Sequence, residues 1–536
     1  MFRLIIKLSV YCAISALISS CSPLKTLEAE SKSVKNIVLI IGDGMGPQQV
    51  GLLLAYARQA PHSILSARTT AFDRILEQGR LGLSLTHAAG TLVTDSAASA
   101  TQLATGLLAG SEMIGLDRLG NPQENIIEKA KHLGKATGLV SDTRITHATP
   151  AAFAAHQTHR SLENEIAEDL LRTGPDVMFS AGLNYWIPQQ ANVKDSRLHK
   201  ELAALTGHDD DLVSQRKDEK NLLRQALDKG YALVFDKRQM QRTQGRTLGL
   251  FAGVAMPNGI VETRTKHDAG RTEPTLAEMS VKALEILSKN EQGFFLMIEA
   301  GQIDWAGHRN DTGLLLHEML RMDETLHRVL DWADRRDDTL IIVTADHETG
   351  GFGFSYSGVN IPRPSYLPGS FFADKAQFQP GYNFGNPEIL DRLYRQQRSY
   401  TEIFKQFDSL PKKQQTAATL AELVNRYTEF DISEAKAEKI LATEDNPLYI
   451  EGHKTLGSKT VPKMEVNGEF FVYQKDNREN LLARAVAAGQ QAVWSTGTHT
   501  STPVYVFVRG PEYSLEPFAK ILHHTDIGHL ALEALR

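Results

Sequence analysis

Asp43 lies between two glycines in GDGMG, residues 42–46, directly after the apolar run NIVLII. Ligands of α/β sheets gather outside the carboxyl ends of strands, so a carboxylate there sits on a working surface. The flanking glycines let the backbone turn sharply and let a ligand come close. Other apolar runs end the same way. GFFLMIEA carries Glu299, and Asp304 and His308 follow, four residues apart, so that one helical turn puts both on one face. IIVTADH ends in Asp346 and His347, and His499 precedes the last strong apolar run. Oxygen and nitrogen donors without thiolate suit zinc in a catalytic site, and an oxygen-only subset suits magnesium. Any one of these residues alone is more often solvated or a helix cap, as Asp346 would be if a helix began after it. Chance is a poor explanation for several independent strand ends that all carry metal-type donors.

A nucleophile candidate lies elsewhere. TLVTDSAASATQLATG, residues 91–106, predicts a strand-like start and then an Ala-rich helix with Ser96 near its N-terminus. Free N–H groups and the helix dipole favour an anion there. Taken alone, Asp95 or Ser96 is more often a plain N-cap. Both readings can hold, because a serine near bound zinc is a usable alkoxide. Arg160 follows Thr149 by eleven residues in THATPAAFAAHQTHRS. Its fork binds two phosphate oxygens at once, but one such arginine is a weak signal. His87, His132, His159 and His327 are expected to be surface or core residues.

These residues need a scaffold. Near-continuous apolar runs at 36–41, 136–142, 176–182, 293–300, 338–347 and 503–510 predict strands. Helical patterns at 125–134, 162–174 and 276–289 lie between them. Such alternation predicts an α/β fold with a large, mostly parallel sheet covered by helices on both faces. The stretch at about 351–492 is Gly-, Pro- and aromatic-rich at first, then charged and helical, with a possible hairpin at 463–474. It is expected to be an insertion, a cap over the sheet edge or a partner contact. A second polar stretch, about 184–247, predicts another excursion from the sheet. The 536 residues are 42% hydrophobic and 23% charged, ample for a large core. The net charge of −6 excludes a broadly basic nucleic-acid surface, so no nucleic-acid partner is expected.

Residues 1–20 carry Arg3 and Lys7 and then an apolar stretch, which predicts a signal peptide. ISSC ends it at Cys21 and resembles a bacterial lipobox, which predicts lipidation of Cys21 and a polar tether over 21–34. The only other cysteine, Cys12, lies inside the signal, so no internal disulfide is expected. An exported chain is predicted, in the periplasm or as an outer-membrane lipoprotein held to the membrane by its lipid; plain secretion is the alternative.

IVLIIGDGMG, VTDSAASATQLATG, SDTRITHATPAAFAAHQTHR, IEAGQIDWAGH, VTADHETGGFGF and STGTHTSTPVYVFVRGP together resemble the alkaline phosphatase family. They run in the family's order over about residues 36–511, within a catalytic domain drawn at 35–536. The resemblance implies hydrolysis of small phosphate monoesters at a site of two zinc ions and one magnesium ion. By that resemblance Ser96 is the nucleophile that becomes phosphoserine. Asp43 bridges one zinc and the magnesium, with Asp346 and His347 completing that zinc site. Asp304, His308 and His499 hold the other zinc, and Thr149 and Glu299 complete the magnesium site. Arg160 clamps the phosphate oxygens. Homodimers are common in the family. His147 stands where some members have aspartate, and Trp305 where some have lysine, so His147 is counted near the site and not as a firm ligand. A phosphodiesterase or sulfatase on the same fold is the near alternative, yet DSAAS lacks the C/S-x-P-x-R pattern of sulfatases and the chain pairs Ser96 with Arg160. A non-catalytic phosphate- or metal-binding lipoprotein is the distant one.

Overall fold

The computed structural model describes residues 34–207, 212–374 and 376–536. The signal, Cys21 and nearly all of the tether lie outside the described residues.

A ten-stranded sheet carries the fold. Its strands are β1 (Asn36–Gly42), β2 (Arg80–Leu85), β3 (Ala136–Arg144), β4 (Val177–Ala181), β5 (Ala232–Val234), β6 (Thr247–Leu250), β7 (Phe294–Ala300), β8 (Thr339–Ala345), β9 (Val504–Arg509) and β10 (Ile521–His523). They lie in the order β10-β2-β9-β8-β1-β7-β3-β4-β6-β5. β9 runs antiparallel to both of its neighbours, and all other pairs are parallel. β1 sits between β7 and β8, with Ile41 opposite Glu299 and Gly42 opposite Ala345. The Asp43 turn therefore opens beside the ends of the two strands that carry the other acids.

All seven residues of β1 are buried because helices cover both faces. Val38 and Ile40 pack with Leu315, Met319 and Leu326 of the long helix Thr312–Ala333. Ile37, Leu39 and Ile41 point the other way, toward Ala97, Ala100 and Ile127. A side-chain period of two splits a continuous apolar run between two cores. Helices Ile126–His132, Glu163–Thr173 and Leu276–Leu287 stand where the apolar periodicity puts them.

Several expectations are corrected. Residues 184–247 do not stay off the sheet, since β6 returns to pair with β4 and β5 follows it as the edge strand. They are three and four residues long, too short for a visible pattern. Residues 91–95 form a loop, not a strand, before the Ser96 helix. No hairpin forms at 463–474. Asn467 does turn the chain with a φ of 54°, but the flanks bond elsewhere. Met464 N–H donates to Glu444, and the Phe470 carbonyl accepts from Gly497 N–H and the Thr496 hydroxyl. The ladder in this region joins Thr443–Asp445 to Thr460–Pro462. Within 351–492, strand Phe352–Phe354 pairs with Ala492–Trp494 at the two ends of the segment. Tyr400, Phe404, Leu420, Val424, Ile440 and Leu482 fill the core between its helices.

Candidate active site

The Asp43 turn closes because Gly44 has a φ of +76° and no side chain. A Cβ there would lie 2.7 Å from Asp304 Cα and 2.9 Å from Thr349 Oγ1. Gly44 N–H donates to Asp346 Oδ1 at 3.0 Å, which ties the turn after β1 to the end of β8. No helix starts at Asp346, so it caps none. The chain runs instead into the short strand Glu348–Thr349, which pairs with His499–Thr500 and carries His499 to the site.

Among the described residues three groups of potential ligand atoms meet: Asp43, Asp346 and His347; Asp304, His308 and His499; and Asp43, His147 and Glu299. The donor chemistry fits cations. His308 Nδ1 lies 2.8 Å from the Gly497 carbonyl and His499 Nδ1 2.9 Å from the Thr94 carbonyl. A carbonyl only accepts, so both Nδ1 atoms carry the hydrogen, and in the neutral rings both Nε2 atoms present lone pairs. Those two Nε2 atoms are 3.3 Å apart, and they face Asp304 at 3.2 and 3.6 Å. Converging lone pairs and a carboxylate repel unless a cation lies among them. In the adjoining group, His347 Nε2 is 3.1 Å from Asp346 Oδ2 and 3.6 Å from Asp43 Oδ1.

Both Asp43 oxygens and Asp346 Oδ2 are buried without a hydrogen-bond partner, as are Glu299 Oε1, the Thr149 hydroxyl and His147 Nδ1. Native structures leave few buried polar atoms orphaned, and so many in one place mark a site for ions. Burial, with Asp346, Asp304 and Glu299 close by, pushes Asp43 well above the usual carboxylate range. Burial also lifts Glu299 to about 7. Positive charge in the site would reverse both shifts. The other Glu299 oxygen accepts from the Ser141 and Thr143 hydroxyls, both within the SDTR stretch. His147, counted near the site and not as a firm ligand, joins Asp43 and Glu299 in one of the three groups. Its Nδ1 lies 3.7 Å from Glu299 Oε1, while its ring meets Trp305 edge-on. The sequence signal was its place two residues before Thr149.

Ser96 opens helix Ser96–Thr105, and its hydroxyl is 3.2 Å from His347 Nε2. Asp95 is the N-cap, accepting from Ala97 and Ala98 N–H. The cap therefore uses the amides that an anion was expected to find. Arg160 supplies the remaining cationic group: Nη1 donates to Asp95 at 3.1 Å, and Nη2 lies 3.3 Å from His147 Nε2. Despite burial, the Arg160 guanidinium keeps the Asp95 carboxyl below its usual range. Ser96, Arg160, Asp43, Thr149, Glu299, Asp304, His308, Asp346, His347 and His499 all come together at or just beyond the carboxyl ends of the parallel strands. His87, by contrast, packs against His523, with ring centroids 4.4 Å apart and the planes tilted by 52°.

A mostly parallel sheet with clustered oxygen and nitrogen donors and a serine at its carboxyl edge defines an α/β protein with candidate metal-ligand groups. The chain belongs to the alkaline phosphatase family, whose profile matches residues 34–536. It is 29% identical over 535 residues to alkaline phosphatase 3 of Bacillus subtilis strain 168, covering 98% of this chain and 95% of that one. The alkaline phosphatase of Thermus thermophilus superposes with a TM-score of 0.72 at 25% identity, over 97% of this chain and 96% of that one. The cold-active alkaline phosphatase of a psychrophilic Shewanella gives 0.66 at 25% identity, over 94% of this chain and all of that one.

Proposed function

We propose that this member of the family hydrolyses phosphate monoesters to alcohol and inorganic phosphate through a phosphoserine at Ser96, with two zinc ions and one magnesium ion per chain. The observation that carries the reading is the seat of Ser96, 3.2 Å from His347 Nε2 and beside the Asp95–Arg160 pair. Asp304, His308 and His499 would hold one zinc. Asp43, Asp346 and His347 would hold the other. Asp43, Thr149 and Glu299 would hold the magnesium, with His147 in reach of the same group. Bound there, the ions supply charge that stabilises the entering and leaving oxygens of an in-line displacement and makes a hydroxyl nucleophilic near neutral pH.

The chain's own residues do the rest. Ser96 Oγ, its proton passed to solvent, attacks phosphorus as the bond to the leaving alkoxide breaks, and the alkoxide takes up a proton from water. The Arg160 fork binds two non-bridging oxygens, and Asp95 keeps that fork aimed. Water then cleaves the phosphoseryl ester, releasing phosphate and restoring Ser96. Most of the rate enhancement comes from positioning and charge. Export, with lipid on Cys21, belongs to the same reading and is supported by residues 1–21; a Cys21→Ala chain should leave the membrane fraction. A homodimer belongs to it as well and is tested by sedimentation of the mature chain.

The test of the reaction is hydrolysis of p-nitrophenyl phosphate at alkaline pH, with bis-p-nitrophenyl phosphate and p-nitrophenyl sulfate in parallel. Monoester turnover should dominate, stop with chelator, return with zinc plus magnesium, and be lost in Ser96→Ala. Faster turnover of the diester or the sulfate would reject the reading.

A further inference from the structure

The peptide that joins Asp346 to His347 carries two ligand candidates on adjacent residues, so its plane sets where both side chains point. Its carbonyl oxygen, that of Asp346, accepts two hydrogen bonds from outside its own loop. The Ser99 hydroxyl donates at 2.6 Å and His524 Nε2 at 2.8 Å. Its N–H, that of His347, donates to Asp346 Oδ1 at 2.9 Å. The peptide is thus held at both ends.

His524 is the first residue of helix His524–Ala534, near the end of the chain, and is fully buried. Because a carbonyl only accepts, Nε2 carries the ring hydrogen, and the neutral ring keeps a lone pair on Nδ1. The Ser84 hydroxyl of β2, 2.8 Å away, donates to that lone pair. A directed chain results, from Ser84 O–H to His524 Nδ1 and from His524 Nε2–H to the Asp346 carbonyl. The helix behind it has little play. A Cβ at Gly528 would come within 2.6 Å of the Gln102 carbonyl on the Ser96 helix. The same helix bears Ser99, so the Ser96 helix and helix His524–Ala534 grip one carbonyl.

We propose that His524 is a positioning residue, whose Nε2–H acts with the Ser99 hydroxyl to orient the Asp346–His347 peptide so that both side chains converge beside Ser96. The proposal rests on the metal-site reading above. Hydrogen-bonding partners of this kind typically change metal affinity by roughly tenfold to a hundredfold.

The experiment uses the mature, zinc-loaded chain and the variants His524→Gln, His524→Leu and Ser84→Ala. Zinc retained per chain is measured against rising EDTA, together with kcat and KM for p-nitrophenyl phosphate. His524→Leu should release one zinc at roughly ten- to hundredfold lower EDTA, with a fall in kcat larger than any change in KM. His524→Gln, which keeps an N–H donor, should recover most of the retention. Wild-type zinc retention in His524→Leu overturns the proposal, and so does a His524→Gln variant as impaired as His524→Leu, because burial volume alone would then be at work. If His524→Leu does not fold, Ser84→Ala decides: it keeps the imidazole but frees its orientation, so earlier zinc release supports the proposal and unchanged release overturns it. A wild-type chain that holds zinc but turns over no phosphoester, with the same ranking of variants, would reject the phosphatase reading and leave the positioning role standing.

Discussion

Gly44 and Arg160 show how single residues set the site. At Gly44 the left-handed backbone and the 2.7 Å approach to Asp304 Cα act together. Gly44→Ala adds backbone strain of about 1 kcal/mol or more and also pushes the Asp43 turn away from Asp304. It should lower the melting temperature in calorimetry and weaken zinc retention; a variant with wild-type values for both would contradict the geometry. Arg160 differs because it acts through charge and hydrogen bonds and not through the backbone. Arg160→Ala should raise the inhibition constant for inorganic phosphate about tenfold or more, since a charge-assisted fork is lost. Arg160→Lys should recover only part, because a point charge cannot replace two parallel N–H donors.

Among elements, the segment from about 470 to 480 matters most. It belongs to the stretch expected to be an insertion, yet it fastens the end of helix Gln302–His308 and the turn before strand His499–Thr500. Asn480 Nδ2 lies 2.7 Å from the His308 carbonyl and 2.9 Å from Asn310 Oδ1. Asn310 in turn donates to the carbonyls of Gly307 and Thr496. The Tyr473 ring stands edge-on to His308 with 4.5 Å between centroids. Asn480→Leu leaves buried carbonyls unpaired, a cost of about 1–3 kcal/mol. We expect a lower melting temperature and faster zinc loss from the Asp304–His308–His499 group, followed by time-resolved chelation. Equal kinetics in variant and wild type would mean that this segment is a passive cover.

For the whole molecule, buried acids make stability depend on metal and pH. Asp43, Glu299, Asp304 and Asp346 are all buried in one site. Removing metal by dialysis against chelator should therefore lower the melting temperature by several degrees, and zinc plus magnesium should restore it, by the linkage of ligand binding to folding. On helix Thr312–Ala333, burial pushes Asp323 up to about 7, with Asp73 and Glu324 adding to the shift. His327 faces it at 3.7 Å, and the Ala71 N–H donates to it at 2.7 Å. An unfolded aspartate titrates near 4, so between about pH 4 and 7 the native chain holds a proton that the unfolded chain has lost. The contribution of Asp323 is then fully favourable below about pH 4 and falls as pH rises through 7. Asp323→Asn keeps an acceptor for Ala71 and cannot ionise. Its melting temperature should fall less than wild type between pH 5 and 8; parallel curves would show that Asp323 is ionised throughout.

Residue types and strand ends were legible in the sequence because both obey local rules. A buried parallel strand must be apolar throughout, so NIVLII, GFFLMI and TLIIV announced themselves, and the acids after them stood out as exceptions. Weak local signals failed. Three-residue edge strands have no period to detect, and a turn at Asn467 does not compel its flanks to pair. The convergence of ten separated residues was decided by tertiary structure alone. β1 lies between β7 and β8 although more than two hundred residues separate them in sequence, and pairing of Glu348–Thr349 with His499–Thr500 carries His499 across. His147 and His524 are further cases. Beyond its place before Thr149, nothing local shows that His147 meets two acids, and nothing local marks His524 as a donor to the Asp346 carbonyl. Long-range strand order fixes those neighbours, because sheet hydrogen bonds and a shared core choose partners by fit and not by nearness along the chain.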